Sequence, residues 1–192
     1  TTRRNCHKVQ SSVANVMIKE MSNRNYESFV VATSYLNSHF GYTGAHRNQF
    51  IRHPDGSRSS VDKNLMGFIN ASKKLGAKLE KINASLILVA PLPQHPNFMP
   101  AICSKQWFRP LPEVSCQKTK RDFLEEQRKH IVEALNKLAS EVNNIYIFDT
   151  FNKFCDINYC YITRNNTNLF IDNNHLSEEG AIMISNDLIS LI

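Results

Sequence analysis

Ser85 to Pro91 reads SLILVAP, the longest unbroken apolar run in the chain, and its length decides what it is. A bilayer span takes ~20 apolar residues in succession, whereas this run has strand length and stops at Pro91 and Pro93, which have no N–H to give a ladder. A strand without polar alternation is one covered on both faces, as strands of a parallel sheet are. Outward from it, Val61, Leu65, Phe68, Ile69, Leu75 and Leu79 recur at helical spacing and predict a helix from Val61 to about Asn83, with Gly76 weakening its later turns. Further upstream, Ser28 to Thr33 (SFVVAT) predicts a strand, and Val9, Val13, Val16, Met17 and Met21 predict a first helix over roughly residues 5–24. Asn37 to Ser59 is polar and reads as loop.

Downstream, Pro91 to Gln117 predicts a loop long enough to suggest function. A helix from about Thr119 to Val142 then places Phe123, Ile131, Leu135 and Leu138 on one side, and Ile145 to Asp149 predicts another strand. Phe151 to Phe170 reads as an irregular, cysteine-bearing excursion with a short hairpin around Tyr159 to Thr163, and a last helix begins after His175. Apolar strands alternating with amphipathic helices imply a parallel sheet whose crossovers cover both faces, so the fold class is α/β.

The 192 residues, 42% hydrophobic, suit one domain with an adequate core. The net charge of +6 raises the question of a polyanionic partner, but the basic residues cluster weakly, at Arg3-Arg4, Lys73-Lys74 and Lys118 to Arg121. No stacking aromatics lie among them in sequence, so they read as solvated faces and nucleic acid is not the expected partner. The chain begins at Thr1 with no initiator Met and no signal-peptide pattern, so it reads as a fragment or a trimmed product.

Cys103 and Cys116 bracket a Pro-rich loop, and Cys155 and Cys160 bracket a short turn, so each pair can close locally as a disulfide. Two alternatives stand beside this. A four-cysteine zinc site is one, although twelve and four intervening residues lack the usual tight knuckle; buried free thiols are the other. Cys6 is left over.

Leu169 to Ala181, LFIDNNHLSEEGA, carries the chemistry. An apolar strand end delivers Asp172 into an Asn-Asn turn, His175 follows three positions later, and Ser177 can cap a helix with Glu178 and Glu179 in its first turn. A carboxylate and an imidazole so spaced can share the Nδ1 proton, leaving Nε2 as a base. Asp-x-x-His is also plain turn chemistry, and a metal site is a third reading without a supporting ligand at hand. The other histidines, His39, His46, His53 and His95 in polar loops and His130 in a charged helix, carry no distinct signal. Trp107 reads as an anchor of its loop, and Ser34 lacks the glycine turn that exposes a nucleophile.

Several of these pieces recur in one order. Phe29 to Thr33 forms an early strand, Pro91-Leu-Pro93 leads to Cys103, Arg109-Pro110 and Cys116, the close pair Cys155 and Cys160 follows, and Asp172-Asn-Asn-His175-Leu-Ser177 with Gly180-Ala181 comes last. This set, over roughly residues 25–190, resembles the SGNH hydrolases, especially the SGNH domains attached to membrane-bound acyltransferases that O-acetylate bacterial surface polysaccharides. The resemblance implies a three-layer α/β/α sandwich of the flavodoxin-like SGNH type. It implies Asp172 and His175 as members of a Ser-His-Asp triad and Cys103, Cys116, Cys155 and Cys160 as disulfides. The implied partners are an acyl donor and a glycan acceptor, with a fused upstream membrane acyltransferase domain; no metal or organic cofactor is implied. The implied location is periplasmic or extracytoplasmic, tethered to the inner membrane.

Two departures stand out. The family's serine lies in a Gly-Asp-Ser-His-like turn, which these residues lack, so the serine and its strand are expected upstream of Thr1 and the chain reads as an N-terminally truncated single SGNH-like domain. The loop Thr33-Ser-Tyr-Leu-Asn37 has neither the Arg-Trp-rich nor the Gly-x-Asn-Asp form, and Asn37 is the candidate oxyanion donor. The expected function is O-acetyl transfer to a cell-surface polysaccharide. An SGNH esterase is the alternative, as is a non-catalytic carbohydrate-binding module, which an absent serine allows.

Overall fold

A computed structural model describes residues 6–31, 60–99, 103 and 116–191. In chain order the elements are α1 (Cys6–Arg24), β1 (Ser28–Val31), α2 (Val61–Glu80), β2 (Ser85–Val89), β3 (Lys118–Lys120) and α3 (Arg121–Glu141). β4 (Ile145–Phe148), α4 (Phe151–Phe154), β5 (Tyr159–Tyr161), β6 (Thr163–Arg164), β7 (Thr167–Asn168) and α5 (Glu178–Ile189) complete the chain. They fall into two compact units, residues 1–89 with 134–147 and residues 90–133 with 148–192.

The first unit holds the sheet, with strands in the order β1-β2-β4. β1 runs parallel to β2 in the register Ser28↔Ser85 through Val31↔Leu88. Leu86 N–H donates to the Asn144 carbonyl and Ala90 N–H to that of Phe148, so partners climb together and β4 is parallel too. β2 is therefore central, and Leu86, Ile87 and Leu88 are buried, each contributing roughly 2 kcal/mol. This is why SLILV has no polar alternation, and it bears out the α/β class.

α1 and α2 both end on an asparagine at positive φ, Asn25 at 54° and Asn83 at 55°. In each, the next residue's N–H reaches back five positions, Tyr26 to Met21 and Ala84 to Leu79, the Schellman closure that a left-handed residue permits. Ser60 Oγ caps the start of α2 by accepting from Lys63 N–H. Gly76 is a contact point as well as a weak helix former: a Cβ there would lie 3.0 Å from Ile145 Cδ1, and Asn144 Nδ2 donates to the Gly76 carbonyl beside it.

Two helix faces differ from expectation. In α3, Leu124 is buried and Phe123 is 47% exposed. The buried Ile131, Leu135 and Leu138 extrapolate back by three and four residues to Arg128 and Leu124, and Phe123 falls one step, about 100°, off that stripe. In α1, Met21 is buried but Val16 and Met17 are exposed, while the side chains of Val9 and Val13 lie outside those described.

The second unit is built on Leu124, Phe151, Phe154, Cys155, Cys160, Ile162, Leu169 and Phe170. Cys103–Cys116 and Cys155–Cys160 are disulfides, with Cα–Cα distances of 5.4 and 3.9 Å. The four sulfurs are thus paired, which removes the zinc and free-thiol readings. The hairpin predicted around Tyr159 to Thr163 is corrected: β5 pairs antiparallel with β3, and the hairpin is β6–β7. Its turn is Asn165-Asn166, with φ of 51° and 62°, the two left-handed residues that a type I′ turn demands.

Candidate active site

Asp172 and His175 lie within the second unit, on a loop tied at every step. Ile171 N–H donates to the His175 carbonyl at 2.9 Å and closes the loop. Inside it, Asp172 Oδ1 accepts from the backbone N–H of Asn174 at 2.9 Å and of His175 at 2.8 Å, the Asx geometry to which a short carboxylate is suited. The second oxygen, Oδ2, meets His175 Nδ1 at 2.7 Å. One carboxylate thereby shapes the turn with one oxygen and orients the imidazole with the other. His175 is exposed, and among the described residues its Nε2 has no partner.

Burial pushes the Asp172 carboxyl up, but the N–H of Asn174 and the hydrogen bonds from His175 outweigh it, leaving its pKa below the ordinary carboxylate value. Asp172 is therefore an anion at neutral pH. An anion fixed on Nδ1 selects the tautomer with Nδ1 protonated and stabilises an imidazolium should Nε2 gain a proton.

Ser177 and Gly180, just past the loop, fix it to the core. Ser177 Oγ accepts from Gly180 N–H at 3.0 Å as the N-cap of α5 and donates to the Asn168 carbonyl at 2.6 Å. Gly180 is required by space: a Cβ would lie 2.1 Å from the Leu169 carbonyl oxygen, so only glycine lets the helix start against that backbone. The expected strand end at Leu169 to Ile171 is corrected to a single bridge, Phe170↔Leu176, beyond the β7 hairpin strand. Phe170 itself is buried against Phe154, 5.2 Å between ring centroids.

His95, which the sequence left undistinguished among loop histidines, is buried. Its backbone N–H donates to the Asn173 carbonyl at 2.8 Å, inside the Asp172 turn, and its ring stands edge-on to Phe170 at 4.8 Å. Nδ1 lies 2.9 Å from Thr119 Oγ1 on β3, and Nε2 is buried with no partner among the described residues. Burial lowers its pKa to about 3, so it is neutral. The one sequence signal was its place between Pro93 and Pro96, just past the carboxyl end of the central strand, where α/β folds gather functional groups.

Elsewhere in the second unit, the buried Arg128 pairs with Asp149 at 2.7 Å and lies 4.3 Å over the Phe151 ring. A shallow concavity of about 450 Å³ on α3, lined by Asp122, Glu125, Glu126, Lys129 and Glu133 among others, contains neither Asp172 nor His175. Among the described residues no three His, Cys, Asp or Glu side chains converge as a metal site, and no helix is long and apolar enough to cross a membrane. Asn37, Ser34, His39, His46, His53, Trp107 and Arg109-Pro110 lie outside the described residues.

A family model described as "SGNH domain (fused to AT3 domains)" matches residues 1–190. Neither the curated proteins nor the solved structures gave a match.

Proposed function

This chain belongs to the family of SGNH domains fused to AT3 domains, and on that basis we propose that it carries out acyl-ester transfer, moving an acetyl group to a hydroxyl of a cell-surface polysaccharide. The observation that carries the reading is the Asp172 Oδ2–His175 Nδ1 contact of 2.7 Å on a loop that leaves Nε2 exposed.

In the proposed sequence, His175 Nε2 takes the proton of a serine hydroxyl as the serine oxygen attacks the acyl carbonyl. The tetrahedral adduct collapses, and the donor's leaving group departs with that proton, giving an acyl-serine. A sugar hydroxyl then gives its proton to Nε2 and attacks the acyl-serine, and the serine leaves reprotonated. Asp172 stays ionised throughout and balances the imidazolium at each half-reaction. Water in place of the sugar makes the same machinery an esterase, so acceptor access distinguishes the two. The serine is assigned to chain outside these 192 residues, because no Gly-Asp-Ser-His-like turn occurs within them. Asn37 remains the candidate oxyanion donor; such donors contribute about 3 kcal/mol each.

Two disulfides support an oxidising, extracytoplasmic compartment, and the fusion typical of the family supports a membrane acyltransferase domain as neighbour. Protease added to spheroplasts should then reach the domain. The deciding experiment for function compares acetyl-ester turnover by the full-length protein with that of His175→Ala. Loss of about 10⁶-fold in kcat, the order seen when a triad base is removed, is expected, and equal rates refute the assignment.

A further inference from the structure

Lys118 to Arg121 looks in sequence like a basic run without aromatics; folding supplies them. β3 pairs with β5 in the register Lys118↔Tyr161, Thr119↔Cys160 and Lys120↔Tyr159. Side chains alternate across a strand, so Lys118, Lys120, Tyr159 and Tyr161 share one face of this ribbon. The other face carries Thr119, which meets His95 Nδ1, and the buried Cys160. Lys118 Nζ stands 3.9 Å from the centroid of the Tyr159 ring, and the Arg164 guanidinium lies 5.4 Å from that of Tyr161.

The cations of this neighbourhood divide into two kinds. Arg121, Arg128 and Lys153 are each matched to a carboxylate, Glu125, Asp149 and Asp187. Lys118, Lys120 and Arg164 form no salt bridge among the described residues. The platform under them is rigid. Asp156 Oδ1 accepts from the N–H of Asn158 and Tyr159, Oδ2 accepts the Tyr161 hydroxyl, and the Cys155–Cys160 disulfide closes the same turn. Asp156 is held first by Tyr161 and the turn, with the charge of Arg164 a smaller attraction.

We infer that the β3–β5 ribbon is the acceptor-binding surface for an anionic polysaccharide, with Lys118, Lys120 and Arg164 taking its carboxylate or phosphate groups. The inference rests on the acyl-transfer reading, and it names the acceptor's class. Lys118 and Lys120, two residues apart on one face, stand ~6.6 Å apart along the strand, a spacing for successive charges on an extended chain. His95 connects this surface to the reactive loop, since its ring contacts Thr119 of the ribbon and its N–H holds Asn173. Nucleic acid is disfavoured because the tyrosine rings are already covered by Lys118 and Arg164 instead of lying bare for base stacking.

The test is binding by the full-length protein in detergent, which needs no turnover. The probes are polygalacturonate and the same polymer after carboxyl reduction, a neutral counterpart of equal backbone. Wild-type protein should bind the acidic form about tenfold more tightly, as three charge contacts at the surface, with Lys118 half-buried and Lys120 and Arg164 exposed, allow, and added salt should erase the difference. K118Q/K120Q/R164Q should lose it, whereas the charge-conserving K118R/K120R/R164K should keep it, which separates charge from folding. Equal binding of both polymers, no change in the neutralised variant, or tighter binding of poly(U) or of phosphatidylglycerol vesicles than of polygalacturonate overturns the inference. Unchanged ester turnover in His175→Ala overturns the acyl-transfer reading instead, so the two failures are distinguishable.

Discussion

His95 makes the protein acid-sensitive in a window set by its burial. An unfolded chain protonates this imidazole near pH 6.5, while the folded protein resists protonation down to about pH 3. Above pH 6.5 the residue contributes no pH dependence. Below it, the unfolded state binds a proton that the native state refuses, so stability falls as pH drops, by about 1.4 kcal/mol per pH unit. By pH 4.5 the loss from this residue, relative to its stability well above pH 6.5, is about 2.7 kcal/mol, and it levels off once the native state also protonates. His95→Gln removes the titration while leaving the backbone N–H that holds Asn173. Urea unfolding of the disulfide-intact protein at several pH values between 4.5 and 7 measures the effect. The wild-type free energy should fall more steeply than the variant's by one proton's worth of slope. Parallel curves would show that His95 protonates normally in the folded protein, and the buried, neutral histidine would be wrong.

Asp172→Asn keeps an oxygen for the Asn174 and His175 N–H groups but loses the anion opposite Nδ1; kcat for ester turnover should fall on the order of 10⁴-fold with the fold unchanged by circular dichroism. Because the Asp172 pKa is depressed, its stabilisation of the turn is present above the ordinary carboxylate range and lost as pH falls through the lowered value, which amide exchange at Asn174 and His175 will register. Gly180→Ala drives a Cβ into the Leu169 carbonyl and should cost about 3 kcal/mol, seen as a melting temperature roughly 10 °C lower; an unchanged melting temperature would contradict the close approach. Replacing each disulfide by a serine pair should cost more for Cys103–Cys116, which closes the longer loop, about 3 kcal/mol against about 2 for Cys155–Cys160; denaturant titration of the two double variants checks the order.

The features legible in the sequence are those whose physics is local. SLILV is a strand because nothing in it wants water, and α2, α3 and α5 arise from spacing and caps such as Ser60 and Ser177 within a few residues of one another. Asp172 and His175 meet because a three-residue separation and an Asx turn leave them little alternative. Tertiary structure decided what required distant segments to meet. His95 is 24 residues from Thr119 and further still from Asn173, so nothing in its flanking prolines could say that it would be buried between them. Phe123 and Leu124 compete for one stripe, and only the partner surface chose Leu124. The β3–β5 register brought Tyr159 and Tyr161 across from Lys118 and Lys120, turning a basic run that read as solvated into a basic and aromatic face. Pairing over such separations must offset loop-closure entropy with contacts that no short window of sequence contains, which is why the charge of these lysines was visible from the chain and their neighbours were not.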